Sequence, residues 1–155
     1  MTRQPATHGS FSIERVYDAS PERVFAAWSD IEIKQRWFIG PEKWTLTRRE
    51  LNFAPGGIEI LHGRFPGGLE TLYTARFHDI VINERIVCVY DMHLDHKHHS
   101  VSPNTVEIDP VERGTRLVYT EQTAWLDGTS STDGKVARER GVAVHLDRLR
   151  NVLAA

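Results

Sequence analysis

The sequence predicts an α+β fold: a curved antiparallel sheet of seven strands wrapped around one long C-terminal helix, with two short helices between strands 1 and 2. Three observations lead there. A run rich in β-branched and aromatic residues, "FSIERVYD" at 11–18, is followed at once by two short stretches of helical spacing. From Lys43 the texture alternates between apolar and polar, with turn residues roughly every ten positions, as an antiparallel meander requires. After "DGTSSTDG" at 127–134 no proline interrupts the run to Ala155, and Val142, Leu146, Leu149 and Leu153 fall on one stripe of a 3.6-residue period.

The elements follow in order. "ASPERVFAAW" opens a helix: Ser20 can accept from an orphan backbone N–H, and Pro21 has no N–H to lose in the first turn. Asp30 caps a second short helix in "SDIEIKQRW", where Ile33 and Trp37 lie one turn apart, and "IGP" at 39–41 stops it. Six strands follow. They are carried by "WTLTRRELNF", "IEILHGRF", "ETLYTARFHDI", "RIVCVYDMHL", "SVSPNTVEID" and "TRLVYTEQTAW", with "PGG" at 55–57 and 66–68 and "ERG" at 112–114 as turns. Only the last helix is large enough to cover one face of such a sheet. Arg148 and Arg150 suit its final turns, and Gly141 within it suggests close approach to the sheet. A curved sheet gripping one helix leaves a pocket between them, lined by apolar residues and a few polar ones.

Composition narrows the function. The 155 residues make one domain: a flexible tail over 1–9 and a single domain over 10–155. With 19 basic and 21 acidic residues, the formal charge of −2 gives no field for nucleic acid or anionic membrane. No window is long and apolar enough for a membrane span, and no signal-peptide core is present. Cys88, the single cysteine, sits in the apolar run "RIVCVY" and reads as a buried, inert thiol in a reducing, cytoplasmic setting.

Several segments resemble a known group. They are "FSIERVYDASPERVFAAWSD" at 11–30, "RWFIGP" at 36–41, "PGG" at 55–57, "FHDIV" at 77–81, "ERIV" at 84–87, "GTRLVYTEQ" at 114–122 and "RGVAVHLDRL" at 140–149. In that order and over nearly the whole chain, they are similar to the START-like (SRPBCC, Bet v 1-like) helix-grip superfamily. The branch is the one named for the C-terminal domain of the activator of Hsp90 ATPase. Two positions depart from it: Ala19-Ser20-Pro21 replaces an alanine-proline pair, and "GVAV" at 141–144 stands where a tryptophan often opens the last helix. The second departure is expected to enlarge or reshape the pocket mouth. The resemblance implies the helix-grip fold and a diverse range of uses, from ligand carriers to cyclases and hydrolases, and fold does not fix function.

Two clusters could carry chemistry. "MHLDHKHHS" at 92–100 supplies His93, Asp95, His96, His98 and His99, enough ligands for zinc by number. Crowded on one hairpin turn they converge poorly, and the resemblance implies a polar loop, so a solvated tip without a specific metal is expected. The second cluster centres on Glu121, which shares a strand face with Leu117, Tyr119 and Thr123. A carboxylate on the concave side must be paired, hydrogen-bonded or protonated. His62, Arg64 and His145 are its candidate partners; His145 lies about 60° from the centre of the apolar helical stripe. Glu121 is then either a structural carboxylate or, with a histidine, a ligand-binding or acid–base group.

Of the larger aromatics, Trp37, Phe38, Tyr73, Tyr90 and Tyr119 are expected to line the pocket. The first reading is a protein that binds a small apolar or amphipathic molecule, needs no cofactor and carries no established catalysis. A module acting on an Hsp90-type ATPase is the second reading, implied by the family name. A hydrolase or cyclase using Glu121 with histidine is the third. A homodimer and a chaperone contact are the macromolecular partners considered.

Overall fold

Ser20 and Asp30 decide where strand gives way to helix. In the computed structural model, which describes residues 4–155, Ser20 Oγ accepts the Arg23 N–H at 3.2 Å and starts α1 (Pro21–Ser29). Asp30 acts twice: its N–H closes α1 on the Ala26 carbonyl, and its carboxylate accepts the Glu32 N–H at 2.9 Å to open α2 (Ile31–Lys34). Both caps sit where the sequence places them. α1 buries Val24, Phe25, Ala27 and Trp28, the residues of its apolar stripe.

Around these helices run β1 (Thr7–Tyr17), β2 (Thr45–Leu51), β3 (Ile58–Arg64), β4 (Glu70–Val81), β5 (Arg85–Leu94), β6 (Lys97–Val111) and β7 (Gly114–Trp125). They form one antiparallel sheet in the order β1-β7-β6-β5-β4-β3-β2. Shifts of register at Leu46/Arg48, Phe77/Asp79 and Met92/His93 mark bulges, which bend and twist a sheet locally. Inward positions alternate with outward ones clearly along β7, where Leu117, Tyr119, Glu121 and Thr123 all face the interior.

Two boundaries differ from the sequence reading. β1 begins at Thr7, so Thr7–Gly9, expected in the tail, pair with Trp125–Thr123. Gly9 leaves room for the Trp125 ring, and Thr7 Oγ1 donates to the Thr129 carbonyl at 2.6 Å. Met1–Arg3 lie outside the described residues. The hairpin tip is also tighter than expected. Only Asp95 and His96 form the turn, with φ of 49° and 68°, as a two-residue loop matching strand twist requires. His93, His98 and His99 therefore stand on β5 and β6.

α3 (Ser131–Ala154) closes the structure. Ser130 caps it by accepting the Asp133 N–H at 3.1 Å. Leu146, Leu149 and Leu153 are buried, and Tyr17 of β1 donates its hydroxyl to the Leu146 carbonyl at 2.9 Å. Gly134, in the first turns, is the glycine pressed against the sheet: a Cβ there would overlap the Trp125 ring. Gly141 was expected to be that close contact, but a Cβ built on it meets nothing within 4 Å. α3 is anchored at its start and along β1, and packs Val142, Leu146 and Leu149 on the core, while Gly141 between these contacts leaves open space.

Candidate functional site

The gap beneath α3 is a cavity of about 870 Å³ between the helix, the α2–β2 connection and the inner faces of β3 to β7. Its wall is a chain of aromatic contacts. Trp28 meets Trp37 at 4.6 Å between centroids, Phe38 meets Tyr73 edge-on at 5.0 Å, and Tyr73 meets Tyr90 at 4.7 Å. Trp37 Nε1 donates to the Ala27 carbonyl at 2.9 Å, which fixes α1 against the turn after α2. Trp44 stands near the mouth: its Nε1 donates to Thr71 Oγ1 at 3.0 Å, and a Cβ at Gly63 would overlap its ring. Trp37, Phe38, Tyr73, Tyr90, Tyr119 and His145, six of the expected pocket residues, line this space.

Glu121 stands just behind that wall, with no exposed surface. Tyr119 donates to its Oε1 at 2.6 Å, and Tyr90 and Thr123 donate to its Oε2 at 2.7 and 2.9 Å. Arg138 of α3 completes the set, with Nη1 at 2.9 Å from Oε2 and Nη2 donating to Ser100 Oγ at 2.8 Å. Burial raises the Tyr90 and Tyr119 hydroxyls well above their ordinary value, and the Glu121 charge adds to it. Burial alone would lower the Arg138 pKa, but Tyr90 and Glu121 carry it above its ordinary range. The arrangement is a satisfied ion pair, tying α3 to the sheet.

The partners expected for Glu121 are thus corrected. His62 and Arg64 alternate with Glu59, Leu61 and Gly63 on β3, and it is the latter three that are buried. His62 and Arg64 turn outward to Glu70, His62 at 3.8 Å. His145 reaches the cavity but turns to the α2–β2 connection, Nε2 at 3.1 Å from the Ile39 carbonyl that Arg148 also holds at 2.6 Å. The Glu121–histidine pair that an acid–base mechanism needs is not formed.

Burial, with smaller effects from Arg148 and Lys34, pushes the His145 pKa down from 6.5 to about 4, against the opposing pull of its Ile39 bond. In the unfolded chain this imidazole takes a proton as pH falls through 6.5, while in the folded one it resists until about 4. Stability is therefore fully retained above the unfolded value and declines between these two. The expected loss is about 3 kcal/mol by pH 4, measured by urea unfolding across that range. A His145→Gln variant should flatten that slope; an unchanged slope would assign it to other groups.

The histidine segment divides among separate acids. His96 lies 3.2 Å from Glu70, His98 2.7 Å from Asp91, and His99 2.5 Å from Asp127. Burial would raise the Asp127 pKa, but bonds from Thr129 and His99 bring it down to about 2. Among the described residues, no three His, Cys, Asp or Glu side chains are grouped to hold one ion.

Sequence reasoning missed Lys34, Glu59, Asn104 and Arg138. Lys34 Nζ donates to Glu59 Oε1 at 2.7 Å, both side chains almost wholly buried, and lies 4.9 Å from the centre of the Phe38 ring. The signals existed. Arg138 continues the stripe of Val142, Leu146 and Leu149 one turn earlier, Lys34 precedes Trp37 and Phe38 by three and four residues, and Glu59 shares a strand face with Leu61. Among the described residues, no helix is long and apolar enough to cross a membrane.

The model of the family described as activator of Hsp90 ATPase homolog 1-like protein matches residues 18–154. No curated protein matches the chain. Among solved structures, an uncharacterized protein from Rhizobium leguminosarum is similar at 37% identity, with a TM-score of 0.92 and 99% of each chain covered. The Mll3558 protein from Rhizobium loti is 38% identical, with a TM-score of 0.87 and 97% and 100% of the two chains covered. An AHSA1 protein from Silicibacter pomeroyi shares the fold at 19% identity, with a TM-score of 0.77 over 94% of this chain and 98% of its own.

Proposed function

Because this chain belongs to the activator of Hsp90 ATPase homolog 1-like family, and a fold does not by itself fix an activity, we propose a function from its own cavity: it binds a small apolar or amphipathic molecule beneath α3. One observation carries the reading. The aromatic wall borders a partly open cavity of about 870 Å³ that no side chain among the described residues fills, within the size range of small-molecule sites. Protein interiors are otherwise close-packed, and leaving such a volume empty forfeits dispersion contacts on every lining ring. An occupant restores them. The single buried cysteine suits a reducing compartment, and we place the protein in the cytoplasm.

Thermal unfolding in a panel of apolar and amphipathic compounds tests this. A ligand present at a hundredfold its dissociation constant adds about 2.7 kcal/mol to the native state and shifts the melting temperature by roughly 5–10 °C. A Gly141→Trp variant, which adds an indole at the cavity lining, should reduce that shift. A panel without any stabiliser would sink the reading. The family's name supports a second one, contact with an Hsp90-type ATPase. Stimulation of such an ATPase by the added protein would favour it, and an unchanged rate would dismiss it.

A further inference from the structure

The floor of the cavity is polar in a way that the aromatic wall does not require. The Cys88 thiol, pushed up to about 12 by burial, donates to Asn104, and the charges of Lys34 and Glu59 act on it. Asn104, opposite Cys88 in the β5–β6 register, is 6% exposed, and its Oδ1 accepts the thiol S–H at 3.1 Å. Its Nδ2 donates to no protein group among the described residues, yet it borders the cavity. Glu59, 2% exposed, gives one oxygen to Lys34 and has no hydrogen-bonding partner for the other among the described residues. Lys34 has three N–H groups. One goes to Glu59, and the rest face the rings of Trp28, Phe38 and Phe77 at 5.6, 4.9 and 6.0 Å. Both residues line the cavity. Buried amides and carboxylates are ordinarily satisfied on every polar atom. Here Asn104 and Glu59 line one cavity, and each keeps a polar atom that no group among the described residues engages.

Resting on the ligand-binding reading above, we propose that this floor receives an uncharged hydroxyl group at the inner end of an otherwise apolar, ring-bearing molecule. A hydroxyl is the smallest group that can donate to the free Glu59 oxygen while accepting from Asn104 Nδ2 or Lys34. The charges on every side argue for neutrality. Lys34 and Glu59 already compensate each other at 2.7 Å, and Arg138 is likewise paired with Glu121. Arg49, beyond Glu59, gives Nη2 to the Phe38 carbonyl at 2.8 Å; its buried Nε has no partner among the described residues, and the residue does not line the cavity. An anion entering here meets Glu59 within a few ångströms of Lys34, and a cation meets Lys34. Neither recovers its hydration in an apolar chamber. The body of the molecule then lies along Phe38, Tyr73 and Tyr90, toward the mouth at Trp44 and Gly141.

Three probes of nearly equal shape test the proposal by titration calorimetry at neutral pH: 2-methylnaphthalene, 2-naphthol and 2-naphthoate. On the unmodified protein, 2-naphthol should bind roughly tenfold tighter than 2-methylnaphthalene, the effect of one well-made hydrogen bond, and 2-naphthoate should bind most weakly. In Asn104→Leu, and in the charge-free double variant Lys34→Met/Glu59→Leu, the preference for the hydroxyl should fall below about twofold while 2-methylnaphthalene still binds. Equal affinity for the first two probes, tightest binding of the carboxylate, or a preference undiminished in folded Asn104→Leu overturns the proposal and leaves the cavity a ligand site. If none of the three probes binds, the ligand-binding reading itself falls. The comparison on the unmodified protein decides the question even if a variant does not fold.

Discussion

Arg138→Met should destabilise the protein by about 3–5 kcal/mol, a fall in melting temperature on the order of 10 °C for a chain of this length. The reason is the neighbour it abandons. Glu121 has no exposed surface, and without Arg138 its charge is held in a dry site by only Tyr90, Tyr119 and Thr123. Ser100 would lose its guanidinium partner too. The double variant Arg138→Met/Glu121→Leu removes both charges and should recover most of the loss, because replacing a buried pair outright is far milder than halving it. Urea unfolding of the two variants measures the difference. Equal destabilisation of single and double variants would mean that packing, not the unpaired carboxylate, sets the effect. The pair also fixes where the first half of α3 sits over the sheet, so the single variant should bind cavity ligands more weakly than its stability alone predicts.

Trp37→Ala should cost about 3–5 kcal/mol, the range for removing a fully buried large aromatic. Trp37 is 1% exposed, packs edge-on against Trp28 and donates to the Ala27 carbonyl. The substitution leaves that carbonyl short of a partner and extends the cavity toward α1, where the structure can collapse only by moving Phe38 and α2. Trp37→Phe keeps most of the apolar volume and should cost less than half as much, the remainder reflecting the lost hydrogen bond. Equilibrium unfolding of the two variants is the check; near-equal costs would assign the stabilisation to the indole N–H, not to ring packing. Trp44 at the mouth offers the contrast. It is partly exposed, so Trp44→Ala should destabilise less than Trp37→Ala while opening the chamber.

These two residues show what makes the site both sturdy and hollow. Arg138 and the caps at Ser20, Asp30 and Ser130 fix the ends of helices, while the aromatic chain from Trp28 to Tyr90 props the sheet open. The middle of α3 has an exposed glycine, Gly141, at the cavity lining, where a Cβ would meet nothing within 4 Å. The polar floor and the apolar wall are consequently separate features. The first sets what chemistry an occupant presents, and the second sets how much surface it buries.

How much of this could be read from the residues alone follows from the range of each interaction. Helix caps act within three residues, and strand alternation is fixed by a two-residue period, so the element order, the sheet of seven and the inward turn of Glu121 were all legible. The partner of Glu121 was not. His62 and Arg64 looked available because nothing local reveals which face of β3 turns inward; Leu61 and Gly63, packed against the core and Trp44, decide it. Arg138 lies 17 residues from Glu121 along the chain, and their meeting depends on the rotation and height of α3 above the sheet. Gly141 likewise reads as a tight contact on the helix, and only the span of α3 between its anchors at Trp125 and Tyr17 makes it an opening. Local hydrogen bonding and periodicity act over a few residues and so are written in the sequence itself. Which buried charges meet, and how large a space remains between helix and sheet, are long-range packing outcomes that exist only once the layers are assembled.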